Sequence, residues 1–271
     1  MQVSALLPIY HGARASELDV CLQSLAGQES PAAEVIIARD GPVSDSVEEK
    51  IRQYEGFLPL RHLFFPENRG LGATLNDAVS QCKHELIARV DADDQSLPHR
   101  FTDQIAFLQK NPQISLVGGW MREHYQTKAG RKHRVRKTPS HPQEISRLAR
   151  RRNPINHPTT MFRKSSVIAS GNYQPCLMFE DYFLWARMLK RGLKLANLPD
   201  VLVQTDVSAE YFSRRGGIDY FRHELHFLGQ LRQMGFMSLK DAVIFVGTRL
   251  PVRLLPIVLR EQLYRNALRN I

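Results

Sequence analysis

The chain has 271 residues and a mass of 31.1 kDa, and 43% of its residues are hydrophobic and 24% charged. This length suits one α/β domain with a C-terminal appendage, or at most two small domains. The composition is globular, which excludes collagen-like, coiled-coil and wholly disordered chains.

The net charge of +10 is concentrated in two segments. Residues 122–152 hold 11 basic and 2 acidic residues, and residues 212–271 hold 10 and 4, whereas the remaining chain has 16 basic and 21 acidic residues. The two segments therefore carry +9 and +6, and the rest carries −5. This distribution predicts an anionic partner that is met along one surface.

Cysteines and apolar runs limit the class of protein further. Cys21, Cys82 and Cys176 are odd in number and far apart, which excludes a local disulfide framework and a Cys-x-x-Cys metal or redox pair. We expect them to be small buried hydrophobes in a reducing compartment. The N-terminus lacks the pattern of a signal peptide, and no apolar run approaches the roughly 18 residues of a spanning helix. A cytoplasmic protein is expected.

Strands and helices alternate in the first part of the chain. The apolar runs Val3–Ile9 and Val35–Ala38 flank a helical repeat of apolar residues at 18–25, which forms a βαβ unit and predicts a parallel sheet. The pattern continues with a polar helix near Ser44–Tyr54, a strand at Leu60–Phe65, a helix at Ala73–Cys82 and a strand at Glu85–Val90. Residues 1–120 are therefore predicted to form a Rossmann-like half-domain.

The pattern changes after Gly119. The basic segment 122–152 has few apolar residues and predicts a meander followed by a helix. The expected elements are a helix that begins at Pro142, a strand at Thr159–Phe162 and a helix from Phe179 to Arg191. The last sixty residues are predicted to form amphipathic helices with arginines and aliphatic residues on different sides.

Polar residues follow the predicted strands where each strand ends. Ligands of an open parallel sheet bind at the carboxyl ends of its strands. This rule selects Tyr10, Asp40, the loop Asn68–Gly72 and the segment Asp91–Asp94. A single Asp such as Asp40 is also common as a helix N-cap or a turn former. The three carboxylates of the last segment repel one another, and a hard divalent cation is the usual compensation.

Five short motifs occur in order between residues 3 and 200. They are Pro8-Ile9-Tyr10, Asp40-Gly41, Asn68-x-Gly70, Asp91-Ala92-Asp93-Asp94 with Pro98 and Arg100, and Glu180-Asp181-x-x-Leu184-Trp185. Their order and separations resemble those of the family 2 glycosyltransferases of GT-A fold. The loop 153–158 and the C-terminal helical segment are similar to bacterial O-antigen and exopolysaccharide enzymes, including the amylovoran type. Arg39 and Pro42 depart from the family, where Asp and Ser are frequent, and this leaves base selectivity open.

The resemblance implies a fold and a domain division. The fold is an α/β GT-A fold with a Rossmann-like, mostly parallel central sheet flanked by helices, followed by C-terminal amphipathic helices. Residues 1–205 form the catalytic domain, with a nucleotide-binding half at 1–120 and an acceptor-binding half at 121–205. Residues 206–271 form a basic helical extension associated with a membrane.

The resemblance also implies roles on the donor side. Pro8 and Tyr10 line the nucleobase pocket, and Asp40 accepts a hydrogen bond from the uracil ring. Asp91 holds the ribose or helps at the metal, and Asp93 binds Mn²⁺ or Mg²⁺, which neutralises the leaving diphosphate.

Two further residues lie near this predicted donor site. Arg69, beside Gly70, is a candidate contact of the donor phosphate. Asp94 either supports the metal ligands or caps a helix.

The second half of the chain must supply a base, because attack by an acceptor hydroxyl with inversion requires loss of its proton. Asp181 lies where the family keeps this base. Taken alone, Glu180 and Asp181 are acids of a first helical turn that favour the helix dipole. Glu180 orients Asp181 or contacts a sugar hydroxyl. His157 contacts the acceptor diphosphate or holds its own loop, and Trp185 is a core residue or stacks on a sugar on the acceptor side.

These expectations combine into one hypothesis. The chain is expected to be an inverting, metal-dependent glycosyltransferase of bacterial surface-polysaccharide synthesis. It would move a hexose, galactose or glucose, from a UDP-sugar to a polyprenyl-diphosphate-linked saccharide. The basic segments would serve the acceptor phosphates and peripheral docking at the cytoplasmic face of the inner membrane, although 122–152 also fits a plain solvated face.

Two other function classes fit parts of the sequence. A sugar-phosphate nucleotidylyltransferase shares the acidic strand ends, but the segment His11-Gly12-Ala13-Arg14 has one glycine where that class has a glycine-rich loop. The other alternative is a basic nucleic-acid or membrane adaptor without catalysis. No aromatic interleaving or zinc spacing accompanies the arginines, so no nucleic-acid partner is expected.

Overall fold

A computed structural model describes residues 1–127, 130–207 and 216–255 of the chain. The strands are β1 (Val3–Tyr10), β2 (Glu34–Asp40), β3 (Leu60–Phe65), β4 (Leu86–Arg89), β5 (Asp94–Ser96), β6 (Ile114–Thr127), β7 (Gly130–Arg136), β8 (Met161–Arg163) and β9 (Lys194–Asp206). The helices are α1 (Ala15–Ala26), α2 (Asp45–Tyr54), α3 (Leu71–Gln81), α4 (Arg100–Lys110), α5 (Pro142–Leu148), α6 (Lys164–Ala169), α7 (Glu180–Lys190), α8 (Gly217–Gln233) and α9 (Leu239–Leu254). A short 3₁₀ turn covers His157–Thr159.

All described strands belong to one sheet of order β3-β2-β1-β4-β8-β6-β9-β5, with β7 paired to β6. The first four strands are parallel, as predicted, and β1, β2 and β4 are almost fully buried, as is typical of parallel strands covered on both faces. The second half is mixed: β8 runs antiparallel to β4 and β6, whereas β9 runs parallel to β6. Parallel pairing places the carboxyl ends of β1, β2 and β4 at the same end of the sheet.

Helices cover both faces of this sheet. Alternate residues of β1, such as Ala5 and Leu7, pack with α1, α2 and α4, whereas Leu6 packs with α3 and α7 on the opposite face. The three cysteines are buried and free, as expected for small core residues. The strand ends are thereby held between two packed layers.

Several predicted boundaries need correction. The predicted strand at 159–162 begins only at Met161, because the N–H of Thr159 donates to Asn156 in the 3₁₀ turn. Strands β5, β6 and β9 were not predicted. The boundary proposed at 120/121 lies within β6, so the two halves share a strand.

Helices α8 and α9 agree with the predicted helical extension. Phe227 of α8 and Phe245 of α9 pack against α7 through Phe179, Tyr182 and Phe183. The predicted apolar run at 257–259 lies outside the described residues. In the described ranges, every helix is too short or too polar to cross a membrane.

A buried charge cluster joins α8 to α9. Glu224 is fully buried, and its carboxylate accepts from Arg249 at 2.6 Å and from Arg253 at 2.7 and 2.8 Å. Removing one member of a buried ion pair leaves charge without its partner in a medium of low dielectric constant.

We predict that Glu224→Ala lowers the free energy of unfolding by about 3 kcal/mol, because two guanidinium groups lose their shared carboxylate. Urea denaturation measures this change. The control is Glu49→Ala, which removes an exposed carboxylate paired with Arg52 on the surface and should cost less than about 1 kcal/mol. Equal losses in the two variants would contradict the assigned role of Glu224.

Candidate active site

A cavity of about 390 Å³ lies at the carboxyl ends of β1, β2 and β4. Its lining includes Pro8, Tyr10, Asp40, Gly70, Asp91 and Asp93. The parallel pairing of β1 with both neighbours brings these residues together from separate parts of the sequence. All but one of the residues predicted for the donor side therefore line one cavity, and the exception is Arg69.

Asp40 organises the loop at one wall of the cavity. Its carboxylate accepts the N–H of Arg69 at 2.8 Å and the N–H of Gly70 at 3.0 Å. Gly70 has φ +86°, in the left-handed region that favours glycine. A carboxylate has about four lone-pair sites, so Asp40 retains capacity for a further donor. The predicted hydrogen bond to a uracil ring stays a prediction.

The side chain of Arg69 differs from its prediction. Its guanidinium pairs with Asp77 at 2.8 Å and lies 4.1 Å from the ring centre of Phe65, and it does not line the cavity. The expected contact of this side chain with the donor phosphate is therefore wrong for this conformation. Its backbone N–H contributes instead, through Asp40.

Three carboxylates converge beyond the end of β4. One oxygen from each of Asp91, Asp93 and Asp94 lies within 4.8 Å of the others. Burial and the neighbouring Asp91 raise the pKa of Asp93 to about 6, and the same causes raise the pKa of Asp94. Asp94 begins β5 rather than a helix, so the predicted N-cap is wrong.

The chemistry of this carboxylate cluster fits a hard divalent cation. One oxygen of Asp94 is buried without a hydrogen-bond partner in the described part of the chain. Buried carboxylates at this spacing repel one another, and oxygen ligands of this kind are those that Mg²⁺ and Mn²⁺ prefer. Asp91, Asp93 and Asp94 could therefore hold such an ion.

Arg89 is a site residue that sequence reasoning missed. Its guanidinium is buried beneath the carboxylates and forms an ion pair with Asp91. Burial lowers the pKa of Arg89, but the Asp91 carboxylate and other neighbours more than offset this and the pKa is raised. The available signal was a charged residue inside an otherwise apolar strand.

Arg100 also stabilises the carboxyl end of β4. Its buried guanidinium donates to the carbonyl of Arg89 at 2.7 Å and to the hydroxyl of Ser96 at 2.9 Å. Burial lowers the pKa of Arg100 to about 9. The Arg that follows the acidic motif thus supports the backbone that presents the carboxylates.

Asp181 stands in the first turn of α7. One carboxylate oxygen accepts from the amide of Asn153 at 2.7 Å, and the other accepts from the N–H of Tyr182 at 2.7 Å. Burial raises the pKa of Asp181, whereas these hydrogen bonds lower it, and the pKa is raised overall. Asn153 was named only as part of a loop, and its role in orienting Asp181 is a finding of the structure.

Asp181 and the carboxylate cluster lie close to a common side chain. Burial raises the pKa of the Tyr173 phenol, and both Asp181 and Asp91 raise it further. Glu180 also approaches α3, since a Cβ added at Gly72 would lie 2.9 Å from its Cγ. Leu71, next to Gly72, lines the cavity. The first turn of α7, which carries Glu180 and Asp181, therefore packs against the start of α3, where Leu71 lines the cavity.

His157 and Trp185 lie behind Asp181. His157 Nε2 lies 2.8 Å from the hydroxyl of Tyr173, and burial lowers the pKa of His157 well below its ordinary value. The neutral ring thus supports Tyr173, in agreement with a loop-holding role. Trp185 is fully buried, and its ring centre lies 5.9 Å from that of His157. Direct stacking of Trp185 on an acceptor sugar is therefore wrong, because the indole is a core residue.

Sequence comparisons identify relatives of known class. Residues 4–171 match the family model described as "Glycosyl transferase family 2". The amylovoran biosynthesis glycosyltransferase AmsE of Erwinia amylovora is 34% identical over 96% of this chain and 97% of its own. The UDP-Gal:alpha-D-GlcNAc-diphosphoundecaprenol beta-1,3-galactosyltransferase of Escherichia coli is 33% identical over 98% of this chain and 96% of its own.

Solved structures confirm the predicted fold class. S. aureus TarS 1–349 in complex with UDP-GlcNAc has a TM-score of 0.61 at 20% identity, covering 79% of this chain and 64% of that chain. The mannosyltransferase PcManGT from Pyrobaculum calidifontis, in complex with GDP-Man and Mn²⁺, has a TM-score of 0.60 at 15% identity, covering 97% and 84%. At these identities the likeness concerns the fold alone.

The pKa of Glu180 generates a prediction about stability. Burial raises it from 4.5 to about 7, so the folded protein favours the protonated carboxyl. The contribution of the protonated Glu180 carboxyl to the stability of the folded state is fully present below pH 4.5 and is lost as the pH rises through 7.

We therefore compare the free energy of unfolding of Glu180→Gln with that of the parent at two pH values. The change caused by the substitution should be more favourable at pH 8 than at pH 4 by about 1–3 kcal/mol. Urea denaturation at both pH values measures the difference. Glu49→Gln, on the surface, serves as the control with no such pH dependence. An effect of Glu180→Gln that is the same at both pH values would contradict the assigned burial.

Proposed function

This chain belongs to glycosyltransferase family 2, and we propose that it transfers a hexose from a UDP-sugar to a saccharide carried on a polyprenyl diphosphate. The observation that supports the proposal is the cavity lined by Asp40, Asp91 and Asp93, next to which α3 and the first turn of α7 pack closely at Gly72 and Glu180. The family membership disfavours the nucleotidylyltransferase alternative. One relative, named above, uses UDP-Gal, which supports galactose as the first sugar to test.

The donor nucleotide would occupy the cavity at the strand ends. Tyr10 is 45% exposed there, and its ring lies where a Cβ on residue 12 would stand, so Gly12 leaves room for it. An aromatic ring at the mouth of a cavity can stack on a nucleobase. Asp40 would accept from the base through its remaining lone pairs, and Pro8 would line the same wall.

Asp91, Asp93 and Asp94 would hold a divalent cation beside the diphosphate. When bound, such a cation neutralises the negative charge that develops on the leaving group. Arg89 orients Asp91 through its ion pair. Asp93, with its pKa raised to about 6, is ionised at neutral pH and available as a ligand.

Asp181 would accept the proton of the attacking acceptor hydroxyl. Its two hydrogen bonds, from Asn153 and from the N–H of Tyr182, fix the carboxylate and leave lone pairs free to accept. Burial raises its pKa towards the working pH, which favours a general base. One base and one displacement give inversion at the anomeric carbon.

The described part of the C-terminal extension supports peripheral membrane binding. Leu239 is 67% exposed and Val243 is 65% exposed, and their spacing of four residues places them on one face of α9. Exposed aliphatic side chains next to Lys240, which is also exposed, suit an anionic bilayer surface. We propose that α9 docks there and brings the active site to its lipid-linked acceptor.

The first test uses Asp181→Asn and Asp93→Ala in a transfer assay with UDP-Gal or UDP-Glc, a synthetic lipid-diphosphate acceptor and Mn²⁺. Asp181→Asn should lower kcat by about 10²–10⁴-fold, because the general base is lost. It should leave the affinity for UDP, measured by calorimetry, nearly unchanged. Asp93→Ala should abolish transfer and weaken the Mn²⁺-dependent binding of UDP.

The control for both variants is Asp45→Asn, which alters an exposed carboxylate on α2 and should keep full turnover. EDTA should remove transfer by the parent enzyme, and NMR of the product identifies the linkage. Parent-like turnover by Asp181→Asn would refute the assignment of the base. Full activity in EDTA would refute the metal.

The second test concerns the membrane. We expect the double variant Leu239→Asp, Val243→Asp to lower partitioning onto phosphatidylglycerol vesicles by about tenfold or more, because two aliphatic side chains lose their burial in lipid. Vesicle sedimentation measures it. Phe57→Asp, at an 80% exposed residue distant in sequence, is the control. Equal sedimentation of parent and double variant would refute docking through α9.

A further inference from the structure

A turn rich in arginine leads directly to the residue that orients the proposed base. Residues 150–152 follow α5, and the N–H groups of Arg151 and Arg152 both donate to the carbonyl of Leu148, at 2.8 and 2.9 Å. The next residue, Asn153, donates to Asp181. The turn is therefore anchored at both of its ends, and its arginines have a defined position near the base.

Two other segments bring arginines to this turn. Arg249 of α9 donates to the carbonyl of Arg151 at 3.2 Å and is held from its other side by Glu224. Arg136 ends β7, and its carbonyl accepts from the amide of Asn156 at 3.3 Å, in the loop that follows the turn. The strand and the helix thus contact the segment 151–156, which includes Asn153, the hydrogen-bond partner of Asp181.

The charges of these segments act on one another. Burial lowers the pKa of Arg152, and the guanidinium groups of Arg136 and Arg249 lower it further. Arg136 also lowers the pKa of Asp181, which places it within electrostatic reach of the base. Like charges gathered by three rigid elements are a recurring arrangement for binding phosphate groups, because guanidinium groups donate in pairs to phosphate oxygens.

We propose that Arg136 and Arg152 bind the diphosphate of the lipid-linked acceptor, so that a hydroxyl of the attached sugar reaches Asp181. Arg249, paired with Glu224, holds the turn that carries Arg152. This inference rests on the proposed function for its choice of ligand. Arg152 and Asn153 are consecutive, so the group that holds the phosphate and the group that orients the base are joined by one peptide bond. Binding of the diphosphate would thereby set the position of the acceptor relative to the base.

Helix α9 connects this arginine cluster to the proposed membrane surface. The same helix carries Arg249, which contacts the turn, and the exposed residues Leu239 and Val243. The diphosphate of a polyprenyl carrier lies at the boundary between lipid and water. A single helix can therefore contact the bilayer and support the turn that would bind the phosphate groups of a carrier embedded in it.

The test begins with binding. Geranyl diphosphate is titrated calorimetrically into the full-length protein saturated with UDP and Mn²⁺, so that the donor cavity is occupied. Arg136→Ala and Arg152→Ala should each weaken binding by about 10- to 100-fold, the loss expected for a charge-assisted hydrogen bond. The Lys variants at both positions should recover part of the affinity. Arg52→Ala, a surface arginine on α2, should bind like the parent.

Transfer provides the second measurement. Two synthetic acceptors carry the same sugar and the same alkyl chain, joined by a diphosphate in one and by a simple ether in the other. The Ala variants should lose about 10- to 100-fold in kcat/KM with the diphosphate acceptor and less than about twofold with the ether.

The outcomes separate this inference from the function on which it rests. Equal binding of geranyl diphosphate by the parent and by both Ala variants overturns the arginine site, even where transfer proceeds. Losses of transfer that are equal for the two acceptors also overturn it, because they indicate a structural role. Arginine-dependent binding without any transfer supports the anion site and refutes the proposed hexose transfer.

Discussion

The repulsion among carboxylates at the end of β4 is the constraint around which this site is built. Asp91, Asp93 and Asp94 lie within one small volume that is partly shielded from water, where like charges cost more than at a surface. Arg89 offsets part of that cost through its ion pair with Asp91, and Arg100 holds the carbonyl of Arg89 from beneath. The three carboxylates could therefore hold an external cation, whose charge would offset the repulsion that remains.

The base reaches this acidic edge from a distant part of the sequence, through packing rather than through a motif. Helix α7 places Leu184 and Trp185 in the core shared with α3, and this fixes the first turn that carries Glu180 and Asp181. Gly72 permits the close approach of the two helices, since a Cβ there would lie 2.9 Å from Glu180. Tyr173 is buried in the same core and is supported by His157. The buried aromatic residues therefore set the position of the turn that carries the two acids.

The sequence predicted the first half of the fold well because buried parallel strands leave continuous apolar runs, as in β1 and β2. It did not predict β6 and β9, whose residues alternate between core, hairpin and edge environments and so lack a single period. Strand-end logic and the family resemblance selected residues that line the cavity, such as Asp40 and Asp93. They could not show where a long side chain points: Arg69 pairs with Asp77, and Trp185 is enclosed in the core. Rotamers and partners of this kind depend on tertiary contacts that no local pattern encodes.

The C-terminal helices connect the chemistry of the site to its surroundings. Phe227 and Phe245 attach α8 and α9 to α7, the helix that carries the proposed base, and Glu224 holds Arg249 where it meets the turn before Asn153. If α9 docks on a bilayer as proposed, a force applied to it there is transmitted to the elements that orient Asp181, since packed interiors deform little. An enzyme whose acceptor is embedded in a lipid surface needs such a rigid connection, because the acceptor hydroxyl must meet the base within hydrogen-bond distance. The same buried ion pairs that stabilise the extension would then also fix the distance between the membrane surface and the active site.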